Sequence, residues 1–434
     1  MKSNKTLLSC AVAFGLASVS TFTQAAGFQL AEYSATGLGR AYAGEAAIAD
    51  NASAQWRNPA MLTYLEGTQV SIGAIYVNPN VDVNGTVQHT YLGQSQASAK
   101  DFAHDAVVPN SLPHLHPLSE QIVLGFALGT NYGMETDLGT DFAGSHFGNQ
   151  ASVISKEANL NIAYQILPQL SIGGGIRYVM GEGHFGATAP AKNIVGIHPV
   201  THQPISVPQG TTLKYMEGED NSWGWQLGTA WQINEHHRLG FAYKSEVVMD
   251  FDGHAEGIIY GGQKPGMMSI TLPATAELAS FHQLNEQWAI HASVNWTDWS
   301  TFQELTAVFS DGPDKIKSEN WKDNYRFALG TTYQYDQKIT LRAGMAYDTS
   351  AVDDKNRTAT IPETDRTWVS IGGSYVATPQ LTLDAGFTYI FAKDATVNEP
   401  RDASDQAAAQ VGGAFNADVT GNVWLIGVQA NYRF

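Results

Sequence analysis

Cysteine is almost absent: the 434-residue chain has one, Cys10, inside an apolar leader. The mature chain therefore has no thiol and gains nothing from disulfides in an oxidising compartment. Basic residues are scarce, 24 Lys and Arg against 41 Asp and Glu, for a formal net charge of −17. Removing the leader, with Lys2 and Lys5, takes this to −19 (−17 − 2). No basic stripe exists to neutralise phosphates, which argues against nucleic acid as a partner, and net charge draws in no anion. Beyond the leader there is no run of roughly 18 apolar residues, which excludes a helical inner-membrane protein and leaves a soluble exported protein or a membrane β-barrel. Hydrolase chemistry has no foothold in a G-x-S-x-G elbow or a helical zinc pattern. His114 and His116, on one strand face, are the pair weighed for a metal, with polar luminal residues as the simpler reading; no cofactor or metal is expected.

What the sequence does contain begins with that leader. Lys2 and Lys5 precede the apolar run Leu7 to Val19, and Thr23-Gln24-Ala25 suits cleavage before Ala26, so residues 1–25 read as a signal peptide. In the next stretch, 26–67, Ala35, Gly39, Ala43 and Ala47 recur at helical spacing, giving a smooth face that can lie against another backbone. Pro59 disfavours helix at Asn58. This stretch reads as a plug seated in a barrel, against the alternative of a Gly/Ala-rich lead into the first strand.

From Thr68 onward the pattern is alternation. Trp223, Trp225, Leu227, Trp231 and Ile233 alternate with Gly224, Gln226, Gly228, Ala230 and Gln232; Tyr325 to Tyr335, Leu381 to Phe391 and Trp424 to Phe434 repeat the theme. A soluble sandwich would place Lys and Glu on its polar faces, whereas Gly, Gln, Thr and Ala suit a crowded lumen. Six short turns, near residues 118, 168, 235, 285, 336 and 379, separate seven longer polar stretches, the first from Pro79 to Asp105. That count implies fourteen strands with the C-terminus on the periplasmic side. Trp288, Trp296, Trp299 and Trp368, near strand ends, are expected in interfacial girdles. The expected fold class is thus all-β and transmembrane: a fourteen-stranded antiparallel outer-membrane β-barrel, residues 68–434, with an N-terminal, partly helical plug in its lumen. Such a lumen is too wide for side chains alone to fill.

The run Gly27-Phe28-Gln29-Leu30, with Gly37-Leu38-Gly39-Arg40-Ala41-Tyr42, Glu45, Ala47-Ile48-Ala49-Asp50 and Arg57-Asn58-Pro59-Ala60, closely resembles the hatch of the FadL family of outer-membrane long-chain fatty-acid transporters. Thr130-Asn131-Tyr132-Gly133, Tyr243-Lys244-Ser245-Glu246-Val247 and Trp299-Ser300-Thr301-Phe302-Gln303 extend the likeness along the barrel. The resemblance implies a monomer, placed in the outer membrane of a Gram-negative bacterium by the barrel assembly machinery. It implies passive uptake of long-chain fatty acids or related hydrophobic compounds and sideways release into outer-membrane lipid. Carried over residue by residue, Phe28 touches the ligand pocket, Asn58, Pro59 and Ala60 hold the hatch, Gly133 marks a kink in the third strand, and Lys317 matches a lysine that binds the ligand carboxylate. The arginine that should accompany it falls near Ala187, where no arginine stands. Pro109 and Pro113 in the second strand are expected beside an unpaired stretch of wall, since proline cannot donate to a ladder. The alternatives are a channel for aromatic or aliphatic hydrocarbons, favoured by the missing arginine, an outer-membrane hydrolase, and a surface adhesin or phage receptor.

Overall fold

The computed structural model describes residues 27–89, 93–190, 194–197, 204–401 and 406–434; the expected signal peptide, 1–25, lies outside them. Fourteen antiparallel strands close into a barrel. They are β1 (Gln69–His89), β2 (Gly93–Ala99 and Ala106–Pro117), β3 (Ile122–Gly129 and Gly133–Asp137), β4 (Gln150–Leu167) and β5 (Leu170–Thr188). Next come β6 (Thr212–Asn234), β7 (His237–Lys244 and Val247–Glu256), β8 (Lys264–Leu272 and Thr275–Gln283), β9 (Trp288–Thr297 and Glu304–Phe309) and β10 (Gly312–Ser318 and Asn324–Gln334). The barrel ends with β11 (Ile339–Asp348), β12 (Arg366–Val376), β13 (Leu381–Ala392 and Ala395–Glu399) and β14 (Ala414–Arg433). β1 closes on β14 from Gln69↔Arg433 to Gln88↔Ala414. Among the described residues no helix is long and apolar enough to cross a membrane; the strands do so.

The alternation reads directly onto the two faces. Trp223, Trp225, Leu227, Trp231, Phe327, Leu329, Ile426 and Val428 are exposed on the outer wall, where lipid covers them. Their polar or small neighbours Gln226, Arg326 and Gln429 are buried inward. The six turns fall where the sequence places them, and several are built by one side chain: the Oδ1 atoms of Asn234, Asn285 and Asp336 accept from His236, Gln287 and Lys338 N–H respectively. The long polar stretches differ from expectation. Much of Pro79 to Asp105 is strand, because β1 runs to His89 and pairs with 93–99 well above its meeting with 106–117.

The girdle assignment holds for Trp288, exposed at its strand end, and fails for Trp299 and Trp368, both 0% exposed. Strand parity places Trp368 with Arg366 and Ser370 on the luminal face, where its Nε1 donates to Asp348 at 2.8 Å and the Arg326 guanidinium lies 4.8 Å from its ring. Trp296 is half-buried and donates to Asp323.

The hatch is not one helix. Residues 27–67 form four short turns, Ala35–Leu38, Glu45–Ala47, Ala54–Arg57 and Pro59–Tyr64. Ala41 and Tyr42 adopt φ of 51° and Gly44 of 78°, which breaks the helical path. Arg40 holds that break, donating to the Ala43 carbonyl and pairing with Glu45 at 2.6 Å and Asp50 at 2.5 Å. The small residues still serve close approach, with the wall supplying matching glycines. A side chain at Gly240 would collide with the Ala46 carbonyl, and a Cβ at Gly372 would stand 2.6 Å from Gly39 Cα.

Candidate functional site

An apolar cleft opens above the hatch, with about 900 Å³ of space, part of it continuous with solvent. Phe28, Phe185, Met216, Phe251, Met268, Phe309 and Ile316 contribute to its lining, and Lys317 enters it as the one lysine among the described lining residues. Phe28 is the hatch's contribution. Its ring centre lies 4.6 Å from that of Trp299, 5.6 Å from Phe302, 6.0 Å from Trp321 and 6.2 Å from Tyr132. Three of these contacts are edge-on and the one to Trp321 is tilted, so Phe28 is packed among aromatic rings while still lining the cleft.

Lys317 is placed by a bulge. Leu305↔Lys317 is followed by Thr306↔Lys315, so Ile316 is the extra residue and both Ile316 and Lys317 turn inward. Without it, alternation would send Lys317 outward with Lys315, which pairs at the surface with Glu304. Lys317 is 4% exposed, its Nζ has no hydrogen-bond partner among the described residues, and it lies 4.9 Å from the Phe185 ring centre. A buried ammonium with no acceptor among the described residues is one that an anionic group could pair with chemically. No arginine lines the cleft among the described residues. Ala187 is buried and pairs with Lys214 of β6.

Asn58, Pro59 and Ala60 fasten the hatch. The Asn58 side chain accepts from Ala60 N–H at 2.9 Å and donates to the Ala46 carbonyl at 2.6 Å and the Thr229 carbonyl of β6 at 3.0 Å. Pro59 occupies the first position of the following turn, where no N–H is needed. Gly173 of β5 presses against Pro59 and Ala60, where a side chain would collide with their backbone.

The interruption in β3 comprises Thr130, Asn131 and Tyr132, with Gly133 as the first residue of the resumed strand. Three residues here oppose two on β4, since Gly129↔Glu157 is followed by Gly133↔Ile154. On the other side the β2–β3 ladder stops at Ser111↔Leu128, and the next bridge is Ala103↔Thr136. Residues 105–110 and 129–134 thus face each other without a ladder pair among the described residues. Pro109 lies in this stretch, pairing with Ala74 on the β1 side alone. Pro113 sits at the irregularity between Ser111 and His114, and its side chain lies outside the described residues, as does that of His114. The free edge of β3 is taken by the hatch: Leu30 N–H donates to the Asn131 carbonyl at 2.7 Å and Gly133 N–H to the Phe28 carbonyl at 2.8 Å.

Beneath the interruption lies a buried network the sequence reading did not assemble. Arg177 grips both oxygens of Glu157 at 2.8 Å, Glu157 accepts from the Asn131 amide at 2.6 Å, and Lys244 donates to Asn131 Oδ1 at 3.0 Å. A signal was present in strand parity: with Phe241 and Tyr243 facing outward, Lys244 faces the lumen.

A profile described as "Outer membrane protein transport protein (OMPP1/FadL/TodX)" matches residues 16–434. The chain is 34% identical over 459 residues to a long-chain fatty acid transport protein of Escherichia coli O6:H1, covering 100% of both. Among solved structures, a Pseudomonas aeruginosa FadL homologue superposes with a TM-score of 0.82 at 20% identity, covering 94% of this chain and 100% of that one. The Pseudomonas putida toluene transporter TodX superposes with 0.66 at 18% identity, covering 94% and 100%. At these identities the two structures establish a shared fold. A luminal hatch within a closed fourteen-stranded barrel and a match over nearly the whole sequence agree: the chain belongs to the OMPP1/FadL/TodX family of outer-membrane transport proteins.

Proposed function

We propose that this outer-membrane protein takes up long-chain fatty acids, or hydrophobic compounds bearing a single carboxylate, by passive diffusion. The observation that carries the reading is Lys317: a buried ammonium with no acceptor among the described residues, at the wall of an apolar cleft. The chain of the ligand lies along Phe28, Phe185 and Met268, and its carboxylate meets Lys317. Asn58, Pro59 and Ala60 hold the hatch while Phe28 moves. Gly133 and the interruption before it give the ligand a sideways exit between β2 and β3 into outer-membrane lipid. The molecule works as a monomer, placed by the barrel assembly machinery, and it performs transport, not catalysis. The relative named for long-chain fatty acid transport, 34% identical end to end, supports the ligand class.

The rival within the family is a hydrocarbon channel. It rests on the absence of arginine from the described lining of the cleft, since a hydrocarbon needs no second cation. Uptake of labelled oleate and labelled toluene, by cells lacking their own transporter and expressing this chain or its Lys317→Ala variant, separates the two. Saturable oleate uptake weakened by Lys317→Ala is the expected result. Toluene uptake indifferent to the substitution, with no oleate uptake, would assign the protein to the hydrocarbon branch.

A further inference from the structure

The network beneath the β3 interruption contains a cation that the uptake reading leaves unused. Lys244 ends the lower half of β7 and is 5% exposed. Its Nζ donates to Asn131 Oδ1 at 3.0 Å and lies 4.6 Å from the Trp56 ring centre, and both partners are neutral. The carboxylate of the cluster, Glu157, is already gripped by both arms of Arg177. Arg177 and Lys244 against Glu157 leave one positive charge in excess, and Lys244 makes no ion pair among the described residues. An ammonium buried without a counter-charge is costly, so its retention here calls for a use.

We propose that Lys244 is a second carboxylate station, between the Lys317 cleft and the wall interruption. There the ligand's carboxylate replaces Asn131 Oδ1 on the ammonium and so frees the Thr130–Tyr132 segment. This rests on the reading of the Lys317 cleft as the entry site for a carboxylated ligand. Asn131 hangs from three kinds of tie: its carbonyl on Leu30 N–H, its amide on Glu157, and its Oδ1 on Lys244 and on Trp56 Nε1 at 3.2 Å. Phe28, which lines the cleft, is two residues from Leu30 and bonds Gly133 through its carbonyl. A ligand that displaces Phe28 strains the backbone ties. Its carboxylate then outcompetes the neutral Oδ1, because a charge-assisted bond is roughly twice as strong as a neutral one. A hydrocarbon can displace Phe28 but has nothing to offer Lys244. Discrimination between anionic amphiphiles and hydrocarbons is thereby made at the exit as well as at the entry.

The test uses the full chain in cells lacking their own transporter, with Lys244→Met, Lys244→Gln and Lys244→Arg, and folding checked by the heat-dependent gel mobility of the barrel. Uptake is followed for labelled oleate and, as a neutral probe, labelled hexadecane. The Met and Gln variants are expected to half-saturate at the same oleate concentration as the parent, with a maximal rate at least tenfold lower. Hexadecane uptake, slow in the parent, is expected not to fall, because these variants also lose the tie on Asn131 Oδ1, and Lys244→Arg is expected to keep most of the oleate rate. Parental oleate rates in folded Met or Gln variants would overturn the proposal. So would an equal fall for oleate and hexadecane, which marks a purely structural role. Failure of the underlying reading looks different: the parent protein itself takes up no oleate, and the second station falls with the first.

Discussion

The Lys317 ammonium lies 4.9 Å from the centre of the Phe185 ring, and that ring compensates its charge only weakly. On the proposed reading a ligand carboxylate therefore gains an ion pair with an ammonium that is itself only 4% exposed. Lys317→Met should weaken oleate binding to the purified protein by about 1.5–3 kcal/mol, the range for hydrogen bonds to charged groups. Equilibrium binding with labelled oleate measures this; unchanged affinity would remove Lys317 from the site.

Arg177 and Glu157 form a fully buried pair across β4 and β5. Removing one partner leaves the other charged and dry, a loss of about 3–5 kcal/mol. Glu157→Gln should therefore lower the temperature at which unboiled protein shifts from folded to unfolded mobility. Replacing both, as Glu157→Gln with Arg177→Met, should recover part of the loss. A double variant no better than the single one would count against charge as the cause.

Gly240 faces the Ala46 carbonyl of the hatch, whereas Gly174 of β5 faces the outer wall beside the Leu227 side chain. Gly240→Val should cost about 1–3 kcal/mol by overpacking and push the plug out of register. Its readout is single-channel conductance in a planar bilayer, expected to rise above that of the parent. Gly174→Ala, the control, should leave conductance unchanged.

His146 lies in the connection between β3 and β4, outside the membrane span, buried against Phe147 and His89 with neither ring nitrogen partnered among the described residues. Burial, and secondarily the neighbouring His89, push its pKa down from 6.5 to about 3. A base whose folded pKa is depressed contributes stability that is present above 6.5 and is lost as pH falls toward 3. Amide protection over residues 138–149, the exchange rate divided into the intrinsic rate at the same pH, should fall between pH 7 and pH 4, and His146→Phe should flatten that dependence. An equal fall in the variant would place the acid sensitivity elsewhere.

Strand number, turn positions, outward faces and a plug before the first strand were legible in the sequence, because each rests on local chemistry. Alternation has a period of two, turn residues act within a few positions, and lipid demands an unbroken apolar face. What the tertiary structure decided depends on register between distant strands. The bulged residue at Ile316 turns Lys317 into the cleft, an outcome set by pairing with Leu305 and Thr306 and invisible in the alternation around it. Trp299 and Trp368 resemble girdle residues in the sequence and are luminal in the fold, because parity and a partner such as Asp348 outrank residue type. The spacing of Ala35, Gly39, Ala43 and Ala47 suggested one helix, yet the wall glycines and the Arg40 ion pairs bend the hatch into separate turns. Asn131, Glu157, Arg177 and Lys244 are spread over 113 positions and meet only when β3, β4, β5 and β7 close around the hatch. Local pattern therefore fixed the barrel, and long-range register fixed the site, since where a charge is buried depends on which strands surround it.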